Sequence, residues 1–158
     1  MKIRSVKSTD YYTISPLIND WWGGRNVVDM LPKLFFDHFQ QTSFVVEENE
    51  VVVGFLIGFL SQSNADEAYI HFVGIHPNWR KHRIGSKLYE HFFQVVQNEG
   101  RHIVRCITSP FNKTSIAYHT KLGFGVEEGN MTIDGVSVHQ NYDGEGKERV
   151  LFVKNLKA

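Results

Sequence analysis

The chain has 158 residues, 42% hydrophobic and 22% charged, the proportions of a globular fold and not of a disordered or collagen-like chain. Seventeen Lys and Arg balance seventeen Asp and Glu, so no basic surplus exists for general nucleic-acid binding. Cys106 is the only cysteine, which excludes an intramolecular disulfide and a cysteine-based zinc site and fits a reducing compartment.

In chain order, residues 2–6 alternate like a first strand. Ser8, Thr9 and Asp10 offer capping oxygens for a helix through about residue 18. Trp21-Trp22-Gly23-Gly24-Arg25 is a loop with two large aromatics. Val28, Leu31, Leu34, Phe35 and Phe39 recur at helical spacing and predict a second helix, with Pro32 in its first turn. Residues 44–47 and 51–60 read as a hairpin covered on both faces. A polar loop leads to a strand over 68–75, ended by His76-Pro77. A long helix follows over 83–99, with Ile84, Leu88, Phe92, Val95 and Val96 as its buried stripe and Gly100 as its stop. Residues 102–107 form a strand, 109–112 a capping loop, and 113–122 a helix ended by Gly123. The stretch 126–138 reads as a strand turning at Asp134-Gly135, 141–146 as a mobile Gly-rich loop, and 150–153 as the last strand.

This order predicts one mixed α/β domain over 1–158 with an antiparallel first half. The N-terminal residues lack the apolar core of a signal peptide. The longest apolar stretch, 51–60, is too short to span a bilayer. The expectation is a soluble cytoplasmic protein without membrane or nucleic-acid partners.

The chemistry concentrates where the strand Val73-Gly74-Ile75 runs into Arg80, Lys81, His82 and Arg83, and then opens a helix at Ile84-Gly85-Ser86. The first turn of a helix has unpaired N–H groups and partial positive charge, which suits a phosphate. Lys87 adds charge, and Gly85 allows close backbone approach. A solvated basic loop would have the same composition. There is no G-x-S-x-G elbow, Walker loop or dinucleotide G-x-G-x-x-G, and no H-E-x-x-H pattern groups the histidines around a metal. Cys106 reads as a core residue of its strand.

Residues 112–124, Asn112-Lys113-Thr114-Ser115-Ile116-Ala117-Tyr118-His119-Thr120-Lys121-Leu122-Gly123-Phe124, resemble the "N-x-x-A/S-I-x-L-Y-x-K-L-G-F" signature of the GNAT superfamily of acyl-CoA N-acyltransferases. The segment 73–85 resembles the same family's "V-x-P-x-x-R-x-x-G-x-G" signature. Both occur in the family's order, with a helix and a strand between them. The resemblance implies the GNAT fold, a mixed and mostly antiparallel sheet flanked by helices. It also implies transfer of the acetyl group of acetyl-CoA to a primary amine, without a metal. It assigns pantetheine and thioester contacts to the backbone of Val73, Gly74 and Ile75. The pyrophosphate falls to Lys81, His82, Arg83, Ile84, Gly85 and Ser86, with Arg80 at the motif's leading position, and Asn112 contacts the cofactor arm.

Two residues depart from the pattern. Arg83 stands where the family often has Gly, so the loop is expected to be reshaped or to gain a direct phosphate contact. The family's general-acid Tyr falls on His119, with Tyr118 one position before it, so the acid is one of these two. Glu67 and His71 share a strand face with Val73. His71 is a candidate base, or a half-buried strand histidine with a hydrogen-bond partner. Trp21, Trp22 and Arg25 are candidate acceptor contacts: an aromatic wall for an amine and a cation for an acidic group. The Trp pair would equally serve as core or as a dimer interface, and a homodimer fits the family. The alternative function is a non-catalytic acyl-CoA-binding or sensing module on the same fold.

Overall fold

The computed structural model describes residues 1–157 and divides them into two compact units. The first unit comprises Met1–Leu60 and Ile70–Gly100. The second comprises Ser61–Tyr69 and the chain from Arg101 onward.

In the first unit β1 (Lys2–Ser5), β2 (Phe44–Glu48) and β3 (Val51–Leu60) pair antiparallel in that order, and the later part of β4 (Glu67–Ile75) neighbours β3. The β2–β3 register passes from Val46 opposite Gly54 to Glu47 opposite Val52, skipping Val53. This bulge reverses the side-chain alternation, so Val52, Phe55 and Ile57 all join one core cluster. The bulged Val53 carbonyl accepts the His76 N–H at 2.9 Å, just past the end of β4. Every β3 residue from Val52 to Gly58 is buried, as the hairpin reading expected.

Helix α4 (Ile84–Asn98) packs on β2 and β3 through Ile84, Leu88, Tyr89, Phe92 and Val96. Tyr89 takes the stripe position expected for Val95, which is only half-buried. Gly54 makes the close approach work, because a Cβ there would sit 2.8 Å from Ile84 Cγ2 and 3.1 Å from Ile75 Cδ1.

Both N-terminal helices are shorter than periodicity predicts, and proline is the reason. The first is α1 (Asp10–Ile14) followed by α2 (Ile18–Trp21). Pro16 lies between them and has no N–H to continue the ladder. The expected second helix is a 3-10 turn, Val28–Met30, and a separate α3 (Leu34–His38). Pro32 holds the preceding Leu31 out of the helical region, at φ −130°, ψ 64°. Capping also differs from expectation. Thr9 makes no side-chain cap bond, and the Asp10 carboxylate instead reaches back to the Lys7 N–H at 2.7 Å.

In the second unit the start of β4 pairs parallel with β5 (Ile103–Thr108) over Glu67–Tyr69. The final strand, β9 (Val150–Asn155), lies antiparallel between β5 and the short β6 (Gly125–Val126). Helix α5 (Lys113–Lys121) precedes β6. The stretch expected as one turning strand is β6 plus a separate hairpin, β7 (Met131–Ile133) and β8 (Val136–Val138). Its turn has Asp134 and Gly135 both at positive φ, the hairpin geometry that Asp-Gly favours. Ala68, Val104, Cys106, Phe124, Val138, Val150 and Phe152 are buried here. Burial pushes the Cys106 thiol pKa far up. The guanidinium of Arg101 donates to the carbonyls of Ser61, Asn64 and Glu67 and ties down the loop before β4. No described helix is long and apolar enough to cross a membrane.

The main charge network is in the first unit. Arg4 on β1 grips Asp10 with two bonds of 2.9 Å and Glu47 on β2 with one of 2.6 Å. Asp10 is only 6% exposed. Burial alone would raise its pKa, but hydrogen bonds from Arg4 and the Lys7 N–H outweigh it and hold the carboxyl below its ordinary value. Its folded pKa is therefore below its unfolded one. The stabilisation is complete above the unfolded value, about pH 4, and is lost as pH falls through the folded value. Asp10→Ala should cost about 3 kcal/mol at neutral pH in urea unfolding, and the difference from wild type should close in acid.

Candidate active site

The first unit carries the strand–loop–helix segment. After Ile75, the His76 ring accepts the Asn78 N–H at Nδ1, 3.1 Å, and Pro77 opens a 3-10 turn through Trp79. Lys81, His82, Arg83 and Lys87 are exposed around the start of α4. The helix begins without a capping side chain, because Arg83 at the N-cap makes no side-chain cap bond. The first-turn N–H groups of Ile84, Gly85 and Ser86 thus have no intrahelical acceptor and point away from the helix body. The helix end, its dipole and four basic side chains combine as an anion cradle.

Arg83 itself corrects an expectation. The loop is not reshaped to spare it; the residue adopts φ 58°, ψ 23°, the left-handed region. That backbone costs a non-glycine residue on the order of 1–2 kcal/mol. Arg80 is less free than its motif position suggested. Its guanidinium donates to the carbonyl of Trp21 and ties the basic loop to the end of α2.

On β4, Val73 and Ile75 are half-buried and Gly74 is buried. A Cβ on Gly74 would overlap the Phe55 ring and come within 3.0 Å of Trp22. Glu67, Tyr69, His71 and Val73 occupy the less buried face, the parity read from sequence. Glu67 is committed elsewhere, to Arg105 at 3.0 Å, and Arg105 also binds Glu127 at 3.0 Å. His71 meets the Met30 carbonyl through Nε2 at 2.6 Å and stacks on Phe35, with ring centroids 4.3 Å apart and planes within 11°. These are the features of the half-buried strand histidine with a hydrogen-bond partner, and they leave Nδ1 unengaged.

The aromatic loop splits into two roles. Trp21 is buried among the core residues, against Phe55 and His76, so it does not form an acceptor wall. Trp22 is half-buried and packs on Phe72 at 4.9 Å, and Arg25 is exposed. One residue that sequence reasoning passed over organises this loop. Asn19 Oδ1 accepts the N–H groups of Val27 and Val28 at 2.8 and 3.0 Å, pinning the 3-10 turn that ends at Met30. No motif marks it, because its partners lie eight and nine positions ahead.

In the second unit Asn112 caps α5, accepting the Ser115 N–H at Oδ1, 3.1 Å, which leaves its amide NH2 available to a ligand. Tyr118 is half-buried, with its ring edge-on to His119. His119 belongs to the core: it is 8% exposed, stacks on Phe152 at 4.7 Å, and donates from Nδ1 to the Ser115 carbonyl at 2.8 Å. Burial pushes its pKa below the ordinary imidazole value, against the opposing pull of that carbonyl. The desolvated ring is harder to protonate than a free imidazole, which disfavours the acid role considered for it. No group of three or more His, Cys, Asp or Glu among the described residues is arranged to hold a metal ion.

Because Arg83 pays for a left-handed backbone that glycine adopts freely, Arg83→Gly should stabilise the fold by about 1 kcal/mol, net of the greater chain entropy of glycine. For a chain of this size that is a melting midpoint about 2–4 °C higher by calorimetry.

Comparison with solved structures finds the same fold in several acetyltransferases. A GNAT-family protein from Desulfovibrio desulfuricans superposes with a TM-score of 0.80 at 12% identity, covering 98% of each chain. The yncA protein of Salmonella typhimurium, solved with its cofactor acetyl-CoA, gives 0.72 at 21% identity over 100% of this chain and 95% of that one. Diaminobutyrate acetyltransferase EctA from Paenibacillus lautus, in complex with L-2,4-diaminobutyric acid and coenzyme A, gives 0.72 at 20% identity over 99% and 96%. These likenesses establish the GNAT fold, a mixed, mostly antiparallel sheet flanked by helices. No curated protein matches the sequence. The profile of the acetyltransferase (GNAT) family matches residues 11–124, and with that span covering most of its length the chain belongs to this family.

Proposed function

We propose that residues 1–158 form a single N-acetyltransferase domain that transfers the acetyl group of acetyl-CoA directly to a primary amine. The observation that carries this reading is the uncapped start of α4 beside the end of β4, with Arg83 left-handed and Lys81, His82 and Lys87 exposed around it. Such a cradle fits a pyrophosphate through backbone N–H groups of residues 83–86 and through side-chain charge. Relatives of the same fold solved with acetyl-CoA or coenzyme A support the choice of ligand. Asn112, with its amide NH2 free, is assigned to the cofactor arm.

The chemistry needs a neutral amine, a donor for the oxyanion and a proton for the leaving thiolate. Backbone N–H groups of Val73 to Ile75 are assigned to the oxyanion. His71 is the proposed base: its Nε2 donates to the Met30 carbonyl, so Nδ1 carries the lone pair that accepts the amine's proton. Tyr118 is the proposed acid, one position before the signature's own acid site, an assignment resting on the burial of His119 at that site and on Tyr118 being the tyrosine beside it. Trp22 and Arg25 remain the proposed acceptor contacts from the aromatic loop.

Gly85→Glu places a carboxylate in the first turn of α4. The helix dipole tolerates it there, so the fold should persist. Acetyl-CoA affinity by calorimetry should nevertheless fall at least about tenfold, or 1.4 kcal/mol; unchanged affinity would refute this placement. Tyr118→Phe should lower turnover by about 10²-fold or more with little change in acetyl-CoA affinity. Coenzyme A release from acetyl-CoA should be assayed with amino acids, polyamines, aminoglycosides and peptides. Binding without turnover on any of them would favour the sensing module.

A further inference from the structure

The His71 ring is held more firmly than a strand histidine needs to be. Its Nε2 lies 2.6 Å from the Met30 carbonyl, which can only accept, so the proton is on Nε2. Phe35 on α3 covers one ring face nearly parallel, and Phe72 adds a tilted contact. Nδ1 has no hydrogen-bond partner among the described residues. The Met30 carbonyl is itself placed, because Asn19 Oδ1 takes the two N–H groups at the start of the 3-10 turn that Met30 ends. The Asn19 carbonyl also accepts from Trp22 and Gly24 and fixes the preceding loop.

We propose that Asn19 and Phe35 are positioning residues that lock His71 in the Nε2–H tautomer, leaving Nδ1 as the proton acceptor. This rests on His71 being the base. Asn19 sets the height of the Met30 carbonyl, the carbonyl sets the tautomer, and Phe35 sets the ring plane. In free imidazole the two tautomers interchange through water. A ring that must present one lone pair to an amine gains by excluding the other form. The elements that touch the ring from outside β4 carry Asp29 on the 3-10 turn, and Asp37 and His38 on α3, with Lys33 just before it. Lys33 and Asp37 pair with each other at 2.7 Å. On β4 itself, Glu67 is held by Arg105, and Tyr69 shares the face of His71. None of these charged groups bonds to the His71 ring; its hydrogen-bond partner is the Met30 carbonyl, which fixes the tautomer.

The test is nitrogen-15 NMR of the histidine rings in the full chain, alongside pH–rate profiles. Wild type should show His71 as the pure Nε2–H form at neutral pH. Asn19→Ala should give a tautomer mixture, lower kcat about tenfold with little change in KM for acetyl-CoA, and move the acidic limb of the profile. Asn19→Asp keeps an acceptor oxygen and should restore most of the rate. Phe35→Leu keeps apolar volume, and should loosen the ring even where Asn19→Ala folds poorly. In a His71→Ala background, Asn19→Ala should cost less than twofold more. A tautomer unchanged in both Asn19→Ala and Phe35→Leu would overturn the proposal, as would an equal rate loss with and without His71. A locked tautomer in a protein whose His71→Ala variant is fully active would instead overturn the base assignment.

Discussion

Close approach between backbone and side chain at the end of β4 is the constraint on which the first unit depends. Gly54 lets Ile84 and Ile75 press against β3, and Gly74 leaves room for Phe55 and Trp22. With a side chain at position 74, Phe55 and Trp22 would be displaced; with one at position 54, the first turn of α4 would stand off the sheet. The exposed N–H groups would then face solvent at another angle from the strand. The bulge at Val53 belongs to the same arrangement. It reverses the face on which β3 side chains lie and aims a carbonyl at His76, where the chain leaves the strand. Packing, not charge, therefore aims the helix, and the basic side chains act on a direction already set.

The two histidines singled out on β4 and α5 show how environment separates residues of one type. His71 is half-exposed, with one nitrogen spent on a carbonyl and the other open. His119 is enclosed by Phe124 and Phe152 and bound to a carbonyl of its own helix. Both donate to a backbone oxygen. Only the first keeps a lone pair within reach of a ligand, since desolvation makes the second a packing residue with a polar handle.

Much of the fold was legible because it is local. Strand alternation, the α4 stripe, the Asn112 cap and the Asp-Gly hairpin turn each depend on neighbours a few positions away. The errors at the first helices were also local. Apolar spacing runs on across Pro16 and Pro32, but a missing N–H breaks a helical ladder whatever the spacing. The anion cradle was legible from residue type and order. Its left-handed residue was legible only in part: the family's Gly at position 83 pointed to such a backbone, while an arginine there argued for avoiding it. Sequence spacing also could not tell Trp21 from Trp22: one side chain turns into the core and the next lies over Phe72, and tertiary packing alone decides between them.

The buried thiol of Cys106 has a practical consequence. It is the chain's only sulfhydryl, held protonated by its surroundings and shielded from solvent. Disulfide reagents react with thiolates, so the folded protein is nearly silent toward them. A colour change in a mixture of folded protein and thioester then reports sulfur liberated from the ester. A slow protein-derived signal would mark opening of the second unit, which makes one reagent both a turnover indicator and a gauge of local unfolding.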